Sequence, residues 1–195
     1  MAETPRPPRN ETSVPIHDAL AGRWSPRGFD PEYVVAEGDL TALGEAARWA
    51  PSASNLQPSH FIVGARGTGT FEKVYATLVD FNKAWTPRAS LLIVAVAELE
   101  REGKQLRWAE YDLGQAVAHL SVEAESRGLN VRQMGGFDVA ALRAAFDLPP
   151  ELEPVSIVAV GKYTDADDLP EGIRERDAAP RTRRSLEELA IILDA

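Results

Sequence analysis

The chain has 195 residues, 44% apolar and 26% charged, values that fit one globular domain able to bury a core without covalent staples. It contains no cysteine, which excludes disulfides and thiolate metal sites and fits a reducing, cytoplasmic compartment. A formal net charge of -9 with a pI near 4.9 is the reverse of a nucleic-acid binder's balance, and no apolar run approaches the length of a membrane span.

Residues 1–13 are Pro-rich and polar and read as a disordered lead-in, leaving 14–195 as a single domain. Residues 14–22 read as a short helix with Ile16, Ala19 and Leu20 on one face. Next, Arg23, Ser25 and Arg27 stand at alternate positions, so an extended backbone turns all three the same way. Their guanidinium forks suit an oxyanion, while solvated surface arginines are the plainer alternative, and locally the two readings stand level. A second basic island, Arg181, Arg183 and Arg184, lies late in the chain. Residues 39–50 form an amphipathic helix, with Leu40, Leu43, Ala46, Ala47 and Ala50 at helical spacing, and Pro51 ends it.

The stretch 51–61 is crowded with small uncharged polar groups between two prolines. Ser52, Ser54, Asn55 and Gln57 offer donors and acceptors suited to the edge of a planar heterocycle. Taken alone, an ordinary turn accounts for it better. Residues 61–65 follow as a short buried strand. Residues 70–82 are helical, with Phe71, Val74, Leu78 and Phe81 forming the apolar stripe. The run 90–97 is continuously apolar and predicts a central strand covered on both faces, and 98–105 is a charged loop.

The longest helix spans 106–127, with Gly128 closing it. Ala109, Gly114, Ala116 and Ala118 make it small enough for another helix to approach closely. A strand at 129–134 is broken by Gly135-Gly136, a helix at 138–146 is capped by Asp138, and 155–160 is a third strong strand. Residues 164–180 are acidic and irregular. Residues 185–193 form a terminal helix with Ser185 and Glu188 as a capping box. His60 reads as a satisfied structural histidine, and Trp24, Trp49 and Trp108 as packing residues. The acidic cluster at 165–168 lacks calcium-loop spacing and reads as a solvated loop, not a metal site. Interleaved helices and few strands favour an α+β or three-layer sandwich with a small mixed sheet. The common nucleotide fingerprints are missing.

Six pieces in order carry a resemblance: Arg23-x-Ser25-x-Arg27, Pro51-Ser52-Ala53-Ser54-Asn55-x-Gln57-Pro58, Asn82, Gly135-Gly136-Phe137-Asp138, the 154–161 strand and Arg181-x-Arg183. Together they resemble the nitroreductase family of flavin enzymes, over nearly the whole chain. The resemblance implies an α+β, three-layer α/β/α sandwich with a small mixed or antiparallel sheet, assembled as an intertwined homodimer with one FMN in each of two interface pockets. It implies that Arg23, Ser25 and Arg27 contact the ribityl chain and phosphate, and that Arg181 and Arg183 form a second phosphate clamp. Asn82 is similar to the amide that reads the pyrimidine edge of the flavin. Ser52, Ala53 and Asn55 match the loop that reaches the flavin of the other subunit, and Gly135 and Gly136 match the turn lying against its ring.

The activity so implied takes hydride from NADH or NADPH and reduces nitroaromatic, quinone or similar electron-poor small molecules in a ping-pong cycle. The flavin carries the chemistry, so no catalytic side chain is required. Three positions depart from the family pattern: Ser59 where an aromatic is frequent, Gly135 where an acid is frequent, and Trp85 near a common lysine. Three alternatives stay open: a specialised flavin dehydrogenase of a defined metabolite, a low-turnover FMN-sequestering protein and a scaffold without flavin.

Overall fold

Strict alternation within one strand organises the molecule. In the computed structural model, which describes residues 10–165, 167 and 169–189, Leu91–Glu98 is the second strand, β2, of a four-stranded sheet. Leu92, Val94 and Val96 face one core, and Leu91, Ile93, Ala95 and Ala97 face the other. Successive side chains of a strand point to opposite faces, so an unbroken apolar run requires a cover on each side. Helices supply both covers, and the expected three layers follow.

The sheet runs β1-β2-β6-β5 and every pairing is antiparallel. Its members are β1 (Ser59–Ala65), β2, β5 (Asn130–Met134) and β6 (Leu152–Gly161). A tiny separate hairpin of β3 (Glu100–Arg101) and β4 (Lys104–Gln105) occupies the expected charged loop. Glu102 and Gly103 turn it with φ of 53° and 74°, as a tight two-residue hairpin requires. β1 is an edge strand with most residues partly or fully exposed, which corrects the buried strand expected at 61–65. Pro154 sits beside the register shift between β2 and β6, a position where a missing N–H does no harm.

One face carries α2 (Glu37–Arg48) and the long α5 (Ala109–Ser126), with Leu43, Leu113, Val117 and Leu120 at their contact with the sheet. The other carries α3 (Gly69–Ala76), α4 (Asp80–Lys83), α6 (Val139–Ala145) and α7 (Glu171–Ala178) around Phe29, Trp85 and Leu142. Short helices α1 (Asp18–Gly22) and α8 (Leu186–Leu189) complete the described set. α1 begins at Asp18 with His17 as its N-cap, the His17 ring accepting from Ala19 N, and Pro15 keeps Val14 out of helical backbone. The expected helix over 70–82 is broken. Leu78 pairs with Phe137, Val79 N donates to the Gly136 carbonyl at 3.1 Å, and the chain restarts as α4.

Two further expectations are overturned. The acidic segment 164–180 contains α7, which buries Ile173. Trp49 and Trp108 are 74% and 51% exposed, so of the three tryptophans read as packing residues only Trp24 is buried. The capping box of the last helix is present, with Glu188 N donating to Ser185 Oγ at 3.2 Å and Ser185 N to Glu188 Oε2 at 2.9 Å. Its continuation past Leu189 and residues 1–9 of the lead-in lie outside the described residues. Within the lead-in, Asn10 is tied down, its Nδ2 donating to the Arg23 carbonyl at 3.1 Å.

Candidate functional site

The segment after α1 runs beside the edge strand β5. Arg132, in the middle of β5, donates from Nη1 to the carbonyl of Ser25 and so fastens that segment to the sheet. Arg23 donates from Nη1 to Ser25 Oγ at 3.3 Å. Trp24 is buried between these polar neighbours, edge-on to Tyr163 at 4.9 Å, and the Arg181 guanidinium lies over its ring at 5.7 Å. Burial and the like charges of Arg23 and Arg183 lower the Arg181 guanidinium below its ordinary value. Arginines from the two ends of the chain therefore meet in one place.

Arg27 is 8% exposed and bound to α7. Its Nη1 donates to Asp177 Oδ1 at 2.8 Å, while Asp177 Oδ2 accepts from the backbone N–H of both Arg27 and Gly28. Two cations lie against Phe81, with Arg27 5.5 Å and Arg176 4.8 Å from its ring centre. Farther along the strip, Asn82 is buried and donates from Nδ2 to the Gly136 carbonyl at 3.0 Å. A Cβ at Gly136 would stand 2.9 Å from Asn82 Nδ2, so a side chain there would force Asn82 to shift, whereas a Cβ at Gly135 would meet nothing within 4 Å. From Arg23 to Gly136 the polar groups follow β5, whose five residues span about 17 Å.

Ser52, Ala53 and Asn55 are elsewhere. Their loop precedes β1, at the opposite edge of the sheet, about 14 Å away across three strand spacings. Asp112 on α5 accepts from Ala53 N at 3.0 Å, Ser52 Oγ accepts from Gln57 N at 3.0 Å, and Arg101 donates to the Leu56 carbonyl at 3.0 Å. These ties hold Ser54, Asn55 and Gln57 at φ of 52°, 56° and 50°, a region non-glycine residues rarely adopt. A cavity of about 300 Å³ opens behind the loop between α2, α5 and β1, with Ser59, Phe61 and Asp112 among its lining. His60 is half-exposed rather than packed, its Nε2 3.3 Å from Glu98 Oε2.

The nitroreductase family model matches residues 20–74 and 65–162, together most of the chain. The chain belongs to the nitroreductase family. It is 39% identical over 137 residues to a protein of Mycolicibacterium smegmatis described as an uncharacterized 15.4 kDa protein in the ask 5' region, covering 67% of this chain and 92% of that one. A crystal structure of an oxidoreductase containing FMN superposes with a TM-score of 0.87 at 29% identity, covering 93% of each chain. A nitroreductase family protein from Clostridium difficile 630 superposes with a TM-score of 0.66 at 25% identity, covering 86% of this chain and 92% of that one.

Within this nitroreductase fold, the structure adds groups that sequence reading did not single out. Arg132, Asp177 and Arg176 join the strip, and Asp112 and Arg101 hold the distant loop. Arg132 carried little signal, because its strand also holds the polar Asn130 and Gln133 and only Val131 and Met134 are apolar. Asp177 carried none, because its partner is a separate element far away in sequence.

Proposed function

We propose that this protein is an FMN-dependent oxidoreductase that uses NADH or NADPH to reduce nitroaromatic, quinone or similar electron-poor small molecules, working as a homodimer. The observation that carries the reading is the strip along β5, where buried guanidinium groups stand ready for an anionic, ring-bearing ligand. Nε of Arg27 and of Arg132 are buried and have no hydrogen-bond partner among the described residues. Buried donors are almost always satisfied, so orphaned ones mark where an acceptor belongs. A phosphate at the Arg23, Arg181 and Arg183 end and a flat ring at the Asn82 and Gly136 end fit this arrangement.

Bound FMN supplies the hydride and electron transfer between nicotinamide and acceptor. The chain's part is binding, orientation and electrostatics. Arg23, Ser25, Arg181 and Arg183 hold the phosphate end. Asn82 offers an amide at the pyrimidine edge, Gly136 leaves room for that amide and Val79 to pack on the turn, and Gly135 has open space where a side chain would stand. Ser52, Ala53 and Asn55 cannot reach the same ligand from within one subunit, because Asp112 holds their loop near the start of α5. Gly22, just before Arg23, packs on Glu125 near the end of α5, about 20 Å away at 1.5 Å per residue. A two-fold partner would bring its own loop to the strip, which supports the homodimer.

The test is the visible spectrum of purified protein under anaerobic conditions. A flavin band that bleaches with NADH or NADPH and returns with a nitro compound or quinone is the expected result. Colourless protein that takes up no added FMN would overturn the reading, and bound flavin inert to both donors would favour storage over turnover.

A further inference from the structure

Arg132 fastens Ser25 and keeps an unpartnered Nε on the strip, but no part of the ligand has been assigned to it, and its setting is costly for a structural brace. It is half-buried, its Nε has no partner among the described residues, and its guanidinium lies over the Trp85 ring at 5.7 Å. Trp85 is itself fully buried and stacked on Phe29; its backbone N–H donates to the Asn82 carbonyl at 3.3 Å, and its indole N–H has no partner among the described residues. Trp85 thus links Arg132 to the Asn82 end of the strip, and the charges nearest Arg132 are those of Arg27, Asp177 and Arg176.

The charges facing it do not balance. Arg27 and Arg176 repel Arg132, and Asp177 is the acid that opposes them. Asp177 is already spent on Arg27 Nη1 and two backbone N–H groups. Burial first, then Arg27, pushes the Arg132 guanidinium down to about 10, still charged at neutral pH. Three guanidinium groups around one carboxylate, two of them with orphaned buried Nε, form a site for added negative charge.

We infer that Arg132 is a cofactor contact of this enzyme, its guanidinium facing the pyrimidine edge of FMN and holding the negative charge that edge gains on reduction. The inference rests on the proposed FMN reading. Hydride transfer from a reduced nicotinamide, which leaves as its oxidised cation, adds two electrons, one proton and one net negative charge to the ring. A fixed cation at that edge binds the reduced form more tightly than the oxidised form and raises the potential. A brace acting only on the Ser25 backbone would favour both forms equally. A phosphate ligand would not distinguish oxidation states either.

The experiment compares wild type, Arg132→Gln and Arg132→Lys. FMN and riboflavin dissociation constants are read by flavin fluorescence, and the midpoint potential of the bound flavin by anaerobic dye titration. Arg132→Gln is expected to weaken both flavins by the same factor, about tenfold in the oxidised state. A further tenfold loss in the reduced state lowers the two-electron potential by about 30 mV. Arg132→Lys, which keeps the charge, should recover most of the potential. An unchanged potential in Arg132→Gln, or a loss confined to FMN, overturns the inference while leaving the FMN reading intact. Wild type that binds no flavin overturns both. Should Arg132→Gln fail to fold, Arg132→Lys still decides: a point charge without the planar fork weakens both flavins by a smaller equal factor, and unchanged affinity for either overturns the inference.

Discussion

Asp177 and Arg27, 150 positions apart, are joined by an ion pair of 2.8 Å between side chains that are each 10% exposed. The same carboxylate accepts from the Arg27 and Gly28 backbone, so it fixes both the charge and the path of the segment that follows Ser25. One acid thus docks α7 onto the strip.

Removing that acid leaves a buried guanidinium and two backbone donors without their acceptor. Asp177→Ala is expected to lower stability by about 3–5 kcal/mol, the usual cost of breaking a buried pair from one side. Urea denaturation reads the change. Asp177→Asn, which keeps the shape and one acceptor, should cost less, and equal losses in the two variants would mean the charge is not what matters.

Gly136 and Gly135 should part company under the same substitution. At Gly136 an added methyl would press on Asn82 Nδ2 at 2.9 Å and Val79 Cγ2 at 3.0 Å, and both neighbours are pinned by α4. Gly136→Ala is expected to cost about 1–3 kcal/mol through forced repacking. Gly135→Ala, with open space around it, should stay within about 0.5 kcal/mol. Thermal melts of the two apoproteins make the comparison, and matching losses would contradict the packing described.

What was legible in the sequence is what local chemistry decides. The apolar run of β2 announced a doubly covered strand, the Asp138 cap of α6 accepts from Ala141 N at 2.9 Å as its spacing implied, and the Ser185–Glu188 box formed. What depends on a distant partner was not legible. The helix over 70–82 breaks because the Gly136 turn claims the Val79 N–H, and nothing near Val79 foretells that. α7 was hidden because five of its eight residues are charged and it buries only Ile173. The basic islands at Arg23 and Arg181 could be read as anion sites, but Arg132 needed the third dimension, since its significance comes from Trp85 and Arg27 beside it.

Glu98 predicts an acid limb in the stability curve. Hydrogen bonds from Arg101, and secondarily from His60, hold its carboxyl down at about 2 although burial opposes this. A depressed folded value means the stabilisation is complete above the ordinary carboxylate range and disappears as pH falls through about 2. Arg101 is 40% exposed, so solvent screening keeps the contribution well below what the full shift would imply. Urea midpoints between pH 5 and pH 2 should therefore fall more steeply for wild type than for Glu98→Gln. Parallel curves would show that this cluster contributes nothing.

The phosphate end of the strip gives the most direct test of the proposed ligand. Arg23 and Arg183 both bear on Arg181, and neither is needed for the hydrophobic cores. A hydrogen bond to a charged group is worth about 1.5–3 kcal/mol, so Arg23→Ala with Arg183→Ala should weaken FMN by at least a hundredfold. Riboflavin, which lacks the phosphate, provides the internal control, and its affinity should hardly move. Raising the salt concentration should weaken FMN in wild type and have a smaller effect in the double variant, because the screened charges are already gone. Equal losses for FMN and riboflavin would relocate these arginines from the phosphate to the ring, and unchanged FMN affinity would remove them from the site.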